Sequence, residues 1–366
     1  MNIVIAAGGT GGHLYPAVAL AWEFLRQEPR TTVLFVGTVR GIEAKVLAHE
    51  GFELAIIAAR PVMGMGVSGA VRALLSLPLA LWQSVKLLRT RRPGLVIGVG
   101  GYTSPPVLVA ASLLGIRRVI LEPNAYPGMA NKVLGPLAHR VFLAFESAAG
   151  FFRSSKARVV GTPIRRAFLE QMHAGADSVG ERRQTLLIFG GSQGARAINT
   201  AIVEALPHLA SLRSELAVIH QTGEADLGRI KAAYETTGFR AEVVPFLFDM
   251  PRVLQSADLV VSRSGAMTVA ELAVCGKGAI LIPLPQAIYN HQVLNARVME
   301  SAGAAVVLSQ AELTGRRLAQ AIEGLLRDPN RLRVMGERSR ALGRADSAEA
   351  IVQECLALVR DVKRST

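Results

Sequence analysis

Ser262-Arg263-Ser264-Gly265-Ala266-Met267-Thr268-Val269-Ala270-Glu271 follows a short apolar run at 258–261 and opens a helical pattern that continues through Leu272, Ala273 and Val274. The run reads as a buried strand, so the stretch is a strand-to-helix junction made of a glycine and small hydroxyl residues. Such a junction lets backbone N–H groups approach an anion closely, and the aligned peptide dipoles favour negative charge there by roughly 0.3–2 kcal/mol. Phosphate is the natural guest. Glu271, one turn into the helix, is placed to accept hydrogen bonds from a vicinal diol such as a ribose. The plainer reading, in which Ser264 caps the helix and Glu271 is a solvated first-turn carboxylate, stays open on these residues.

The same order of strand, glycine turn and helix recurs along the chain. A strand at 185–189 runs into Gly190-Gly191-Ser192-Gln193-Gly194-Ala195-Arg196, and one at 3–7 runs into Gly8-Gly9-Thr10-Gly11-Gly12-His13 before a helical pattern at 16–25. A strand at 96–99 ends in Gly100-Gly101-Tyr102-Thr103-Ser104, and one at 118–121 ends in Glu122-Pro123-Asn124, where Asn124 offers both a donor and an acceptor. Further strands are predicted at 32–36, 140–145 and 157–160, then at 216–221, 241–244 and 279–282. The echo predicts an α/β protein of two similar Rossmann-like units in tandem. Residues 164–344 would form the second and residues 1–163 the first, joined by a helix at about 345–360 that packs back on it. Their parallel sheets would face one another across a central cleft, with the turns converging at the carboxyl edges. His13, at the mouth of a helix on such an edge, has a pKa suited to a general base; it is equally a residue that hydrogen-bonds its own loop.

Composition agrees with this frame. Half of the 366 residues are hydrophobic and 35 are Gly, which suits buried parallel strands joined by tight turns. The formal charge of +13 points to an anionic partner. Nucleic acid is the weakest candidate, because only 5% of residues are aromatic and no basic run is interleaved with them. Cys275 and Cys355 have no Cys or His at zinc spacing and read as core thiols of a reducing compartment. Met1-Asn2-Ile3-Val4-Ile5-Ala6-Ala7 carries no positive charge ahead of its apolar residues, so a first strand and a cytoplasmic location are expected.

From 54 to 121 there is no Asp or Glu, yet Arg60, Arg72, Lys86, Arg89, Arg91, Arg92, Arg117 and Arg118 fall there. Within that span residues 71–89 are strongly apolar, and the uninterrupted part at 73–82 contains Pro78 and is too short to cross a bilayer. One reading is a segment whose Leu75, Leu79 and Trp82 dip into a headgroup region while its basic flanks meet anionic lipid, each near-surface cation adding about 1 kcal/mol. The other is a core helix packed on the sheet.

Taken together, residues 8–13, 100–104, 190–195 and 262–266 with Thr268 and Glu271, and His291-Gln292 with Asn295, resemble the MurG family over nearly the whole chain. The resemblance implies a GT-B fold and an inverting hexosyltransferase that moves N-acetylglucosamine from UDP-GlcNAc to undecaprenyl-pyrophosphoryl-MurNAc-pentapeptide (lipid I), making lipid II of peptidoglycan. It implies no cofactor and no metal, in line with the absence of any Asp-x-Asp triplet, and a peripheral place on the cytoplasmic face of the bacterial plasma membrane. Position by position, Ser192 and Arg165 would contact the donor diphosphate, Leu247 the uracil and Glu271 the ribose. Ala266, Met267, Thr268, Val269 and Ala270 would line the phosphate-binding helix end, Gln292 would hold the sugar, and Thr10, Gly11, Gly12 and Asn124 would reach the donor from the N-terminal side. Tyr102, Thr103 and Ser104, with the apolar segment, would serve the acceptor and the membrane. The chain departs from the family pattern at Met267 and Ala270, where Leu and Ser are expected, and at Leu121, where some members carry His; the last shifts acid–base duty onto His13. A UDP-sugar epimerase, an NAD-dependent dehydrogenase and a lipid-binding adaptor are the competing classes, and an acceptor-dependent transfer assay separates them.

Overall fold

A computed structural model describes residues 1–8, 11–38, 43–60, 66–173, 183–191, 193–285 and 290–365, of which 66–74, 173 and 361–365 are described by backbone alone. The chain divides into two units, residues 1–165 with 345–366, and residues 166–344.

The first unit runs β1 (Asn2–Ala7), α1 (Gly11–Gln27), β2 (Thr32–Gly37), α2 (Glu43–Glu50), β3 (Glu53–Ile56), α3 (Gly66–Arg91), β4 (Leu95–Gly100), α4 (Ser104–Leu113), β5 (Arg117–Glu122), α5 (Met129–Leu134), β6 (Arg140–Leu143) and β7 (Ala157–Val159). Its strands form one parallel sheet in the order β3-β2-β1-β4-β5-β6-β7. The central strands are buried on both faces, which is why they read as continuous apolar runs and not as alternating ones. Successive residues supply opposite faces: Ile3 and Ile5 pack with Leu14, Leu20 and Phe24 of α1, while Val4 and Ala6 pack with Ala80 and Leu88 of α3 and Leu108 of α4.

The second unit runs α6 (Arg166–His173), β8 (Gln184–Phe189), α7 (Arg196–Ala205), β9 (Leu216–Gln221), α8 (Leu227–Thr237), β10 (Arg240–Val244), α9 (Met250–Ser256), β11 (Leu259–Ser262), α10 (Ala266–Cys275), β12 (Ala279–Leu281), α11 (His291–Ser301), β13 (Ala305–Val307), α12 (Gly315–Leu326) and α13 (Pro329–Leu342). Its parallel sheet has the order β10-β9-β8-β11-β12-β13. Leu186 and Ile188 meet α7, α8 and α12 on one face, and α10 pairs with α13. Then α14 (Ser347–Ser365) returns to the first unit, where Ile351, Val352, Cys355 and Leu356 join the core under α1.

In each sheet the strand order reverses at one place, between β1 and β4 and between β8 and β11. Ligands of open α/β sheets bind beyond the carboxyl ends of the strands at such reversals. Gly8, the α1 start at Gly11 and the glycine turn at 100–104 flank the first reversal, and Gly190, Gly191, Gly194 and residues 262–265 flank the second. Two strands go beyond the sequence expectation: β3 and β13 are short and lie at sheet edges. The predicted strand at 140–145 stops at Leu143, because Ala144 and Phe145 turn away into a short 3-10 helix at 146–151.

Candidate functional site

In the first unit the turn after β4 forms the floor. Gly100 and Gly101 have φ of +109° and +72°, in the region that favours glycine, and each is crowded as well. A methyl group on Gly101 would sit 2.1 Å from Gly8 O, and one on Gly100 would meet His13 Nε2 at 3.1 Å. The two glycine turns therefore close on one another, and the half-buried His13 ring lies directly over the second. Ser104 holds this arrangement from below: its buried Oγ accepts the Gly100 N–H at 3.0 Å and lies 3.0 Å from Ala6 O and 2.8 Å from Gly100 O as a donor. Thr103 is buried beside Gly8, and its hydroxyl has no partner among the described residues. Tyr102 OH lies 3.2 Å from Thr38 Oγ1.

Glu122, the last residue of β5, is buried and ties down the adjoining loop. One carboxylate oxygen accepts from Asn124 N (3.0 Å) and Asn124 Nδ2 (3.1 Å), the other from Gly128 N (2.9 Å) and Asn131 Nδ2 (2.8 Å). Burial pushes its pKa above the usual carboxylate range, against those four N–H donors, which pull the other way. Leu121, where an imidazole was a family expectation, is wholly buried in the sheet core. Arg165 closes the first unit, its guanidinium 5.0 Å from the ring centre of Tyr15, two residues beyond His13 on α1.

In the second unit α10 starts at Ala266 with Gly265 as its N-cap, so no side chain caps its leading N–H groups. Ser264 is not the cap: its buried Oγ donates to Gln292 O at 2.8 Å, and its carbonyl accepts Asn295 Nδ2 at 3.2 Å. Glu271 is buried and not a solvated first-turn carboxylate. Gln292 accepts the Leu284 N–H on Oε1 at 3.0 Å. Arg263 donates to Ile282 O (2.9 Å), Pro283 O (3.1 Å) and Gln310 Oε1 (2.6 Å), fastening the loop after β12 to the α10 start.

The glycine turn after β8 is interlocked with the loop after β9. A methyl on Gly194 would fall 1.9 Å from Thr222 O, and one on Gly223 would fall 2.1 Å from Gln193 O. Behind them runs a buried chain of polar groups. Asn199 Nδ2 donates to Thr222 O (2.9 Å) and Asp226 Oδ2 (2.8 Å), leaving its Oδ1 as acceptor for His220 Nε2 (3.1 Å), while His220 Nδ1 accepts from Tyr234 OH (3.1 Å). The imidazole is thus neutral with its proton on Nε2. In front, Gln221 bonds both to Gly191 O and to the N–H of Leu247.

Among the expected site residues, Gly11, Gly12 and His13 share the α1 start, Tyr102, Thr103 and Ser104 the adjoining turn, and Asn124 the loop tied down by Glu122. Ala266, Met267, Thr268, Val269, Ala270 and Glu271 all lie on α10, with Gln292 on α11 bonded to Ser264. Leu247 is buried in the loop after β10. Arg165 falls in the first unit, on the other side of the expected boundary at 163. Thr10 and Ser192 lie outside the described residues. The sequence reading missed Glu122, Asn131, Arg263 and the run His220-Gln221-Thr222-Gly223, whose polar residues at the carboxyl end of an apolar strand were the available signal.

Residues 3–143 match the glycosyltransferase family 28 N-terminal domain and residues 185–351 the family's C-terminal domain. A UDP-N-acetylglucosamine--N-acetylmuramyl-(pentapeptide) pyrophosphoryl-undecaprenol N-acetylglucosamine transferase of Syntrophus aciditrophicus is 46% identical over 98% of this chain and 99% of its own. A protein of the same name from Myxococcus xanthus is 45% identical over 98% of this chain and 93% of its own. Among solved structures, MurG of Acinetobacter baumannii superposes with a TM-score of 0.79 at 28% identity, covering 99% of this chain and all of the other.

Proposed function

The chain belongs to glycosyltransferase family 28, and from that membership we infer that it transfers N-acetylglucosamine from UDP-GlcNAc to the 4-hydroxyl of MurNAc in lipid I, giving lipid II for peptidoglycan. The geometric observation that best supports it is the α10 start, whose N–H groups have no side-chain cap and whose Glu271 is buried one turn behind. A diphosphate suits the first and a ribose diol the second. Leu247 would meet the uracil and the Gln292 amide the sugar hydroxyls.

Transfer with inversion needs a base for the acceptor hydroxyl and compensation for charge growing on the leaving UDP. As the acceptor oxygen bonds to the anomeric carbon, the bond from that carbon to the diphosphate oxygen breaks. The hydroxyl proton goes to His13, held in place by the Gly100–Gly101 turn. The α10 dipole and N–H groups stabilise the departing diphosphate. Tyr102 and Thr103 belong to the acceptor side, and Ser104 fixes the turn that carries them.

The lipid-linked acceptor gives α3 its role. Among the described residues no helix is long and apolar enough to cross a membrane. Instead Leu75, Leu79 and Trp82, spaced along one face of α3, are 74, 49 and 60% exposed, with Lys86 Nζ 5.4 Å from the Trp82 ring centre. The opposite face, Ala80, Ser84 and Leu88, is buried on the sheet, so the helix is both a core element and an apolar stripe open to solvent. The stripe and its basic neighbours would lie on the anionic cytoplasmic surface of the membrane. The decisive experiment supplies UDP-GlcNAc with and without lipid I and follows lipid II and UDP; UDP-sugar interconversion without acceptor, or no transfer with it, would refute the assignment.

A further inference from the structure

Gln221 ends β9, the strand lying between β8 and β10, and its neighbours across the sheet are Phe189 and Val244. The loops that leave β8 and β10 just beyond those neighbours carry Gly191 and Leu247. The Gln221 side chain is buried and spans them: Nε2 donates to Gly191 O at 2.8 Å, and Oε1 accepts the Leu247 N–H at 2.9 Å. The orientation is unambiguous, because a flipped amide would set an oxygen against the Gly191 carbonyl and an N–H against the Leu247 N–H. Only a primary amide of this length meets both demands. Glutamate lacks the donor and leucine lacks both groups. Gly191 O also accepts Gly194 N at 2.8 Å, so the bond from Gln221 acts on the carbonyl that closes the glycine turn.

On the donor-site reading above, one of these loops addresses the diphosphate and the other the base. We propose that Gln221 is a positioning residue that fixes the separation between the base and diphosphate subsites of the UDP-sugar site, and thereby sets affinity for ligands that fill both. It touches neither subsite's ligand directly. Its effect is preorganisation: a nucleoside diphosphate binds two loops already at the right spacing, whereas without the amide the ligand must itself bring them into register. A ligand occupying one subsite alone has no such spacing to satisfy.

The experiment uses the full chain with Gln221→Leu and the neutral, equally long Gln221→Met, each checked for folding by thermal unfolding. Competition with UDP-GlcNAc gives inhibition constants for UDP and for uridine, and steady-state kinetics gives KM and kcat. Weakening of UDP by roughly tenfold, a parallel rise in donor KM with the loss falling on KM and not on kcat, and an unchanged uridine constant are expected. A folded variant that binds UDP like the wild type overturns the proposal, and so does an equal loss for uridine and UDP, which would mark direct base contact. Should the leucine variant fail to fold, the methionine variant decides alone, since it keeps the length of the side chain and loses both hydrogen bonds without adding a charge beside the diphosphate loop. Wild-type protein that does not bind UDP would instead remove the donor-site reading itself, before either variant is compared.

Discussion

At the scale of single residues, two imidazoles sit in different settings: His13, the proposed base, beside a glycine turn, and His220 in the core of the second unit. His13 is half-buried over a glycine turn. Replacement by alanine should lower kcat by about 10²–10⁴ while UDP affinity by calorimetry stays the same; unchanged turnover would dismiss it as the base. His220 is wholly buried, and burial holds its pKa down to about 3, with Asp226 raising it and Arg229 lowering it by lesser amounts. An unfolded histidine takes its proton near ~6.5. Between those values the unfolded chain binds a proton that the folded chain refuses, so stability is full above ~6.5 and falls as pH drops toward 3, by about 1.4 kcal/mol per pH unit from this group. Urea titrations at pH 7 and pH 5 should show that slope, and His220→Gln should flatten it by about one proton. The sequence disclosed His13 because it closes a glycine motif, and Glu271 because it follows one. It did not disclose the roles of Gln221, His220 or Glu122: polar residues at the carboxyl ends of apolar strands marked the positions, but an amide strap or a buried hub is defined by partners from distant strands.

At the scale of elements, α3 has one apolar face buried in the core and one apolar stripe exposed. Its period places Ala80, Ser84 and Leu88 inward and Leu75, Leu79 and Trp82 outward, and composition alone cannot separate a buried face from an exposed one when both are apolar. Exchanging Leu75, Leu79 and Trp82 for serine should weaken binding to anionic vesicles and leave UDP affinity intact, as measured by sedimentation and calorimetry. Binding that persists undiminished would assign the stripe another purpose. The buried parallel strands were legible because a short apolar run closed by a glycine turn is too brief for a helix and too greasy for a loop. By contrast β3 and β13 were not: Glu53 and Ile56 at the ends of β3 are exposed, and β13 spans only residues 305–307, so neither gives a sustained pattern.

At the scale of the molecule, the two reversals of strand order explain why motifs far apart in sequence gather in pairs at the carboxyl edges. The tandem organisation was readable from the echo between residues 3–13 and 185–196, but the break after Arg165 was not resolved from the nearby Pro163 because both lie in one irregular stretch. The closing helix completes the first unit: Glu354 pairs with Arg140 (3.3 Å) and Arg158 (3.4 Å), Arg360 pairs with Glu28, and four buried side chains enter the core. Removing residues 345–366 should therefore uncover an apolar trough worth several kcal/mol, at about 1.5–3 kcal/mol for each large side chain. The truncated protein should aggregate or melt earlier in the first unit, while the second still binds UDP in calorimetry; an unchanged melting profile would show that α14 is dispensable. The same arrangement imposes an order on synthesis. The portion that leaves the ribosome earliest stays unfinished until residues 347–360 have been made, so a nascent chain carries an open greasy groove through the whole translation of its partner lobe, and a holdase chaperone has that interval in which to act.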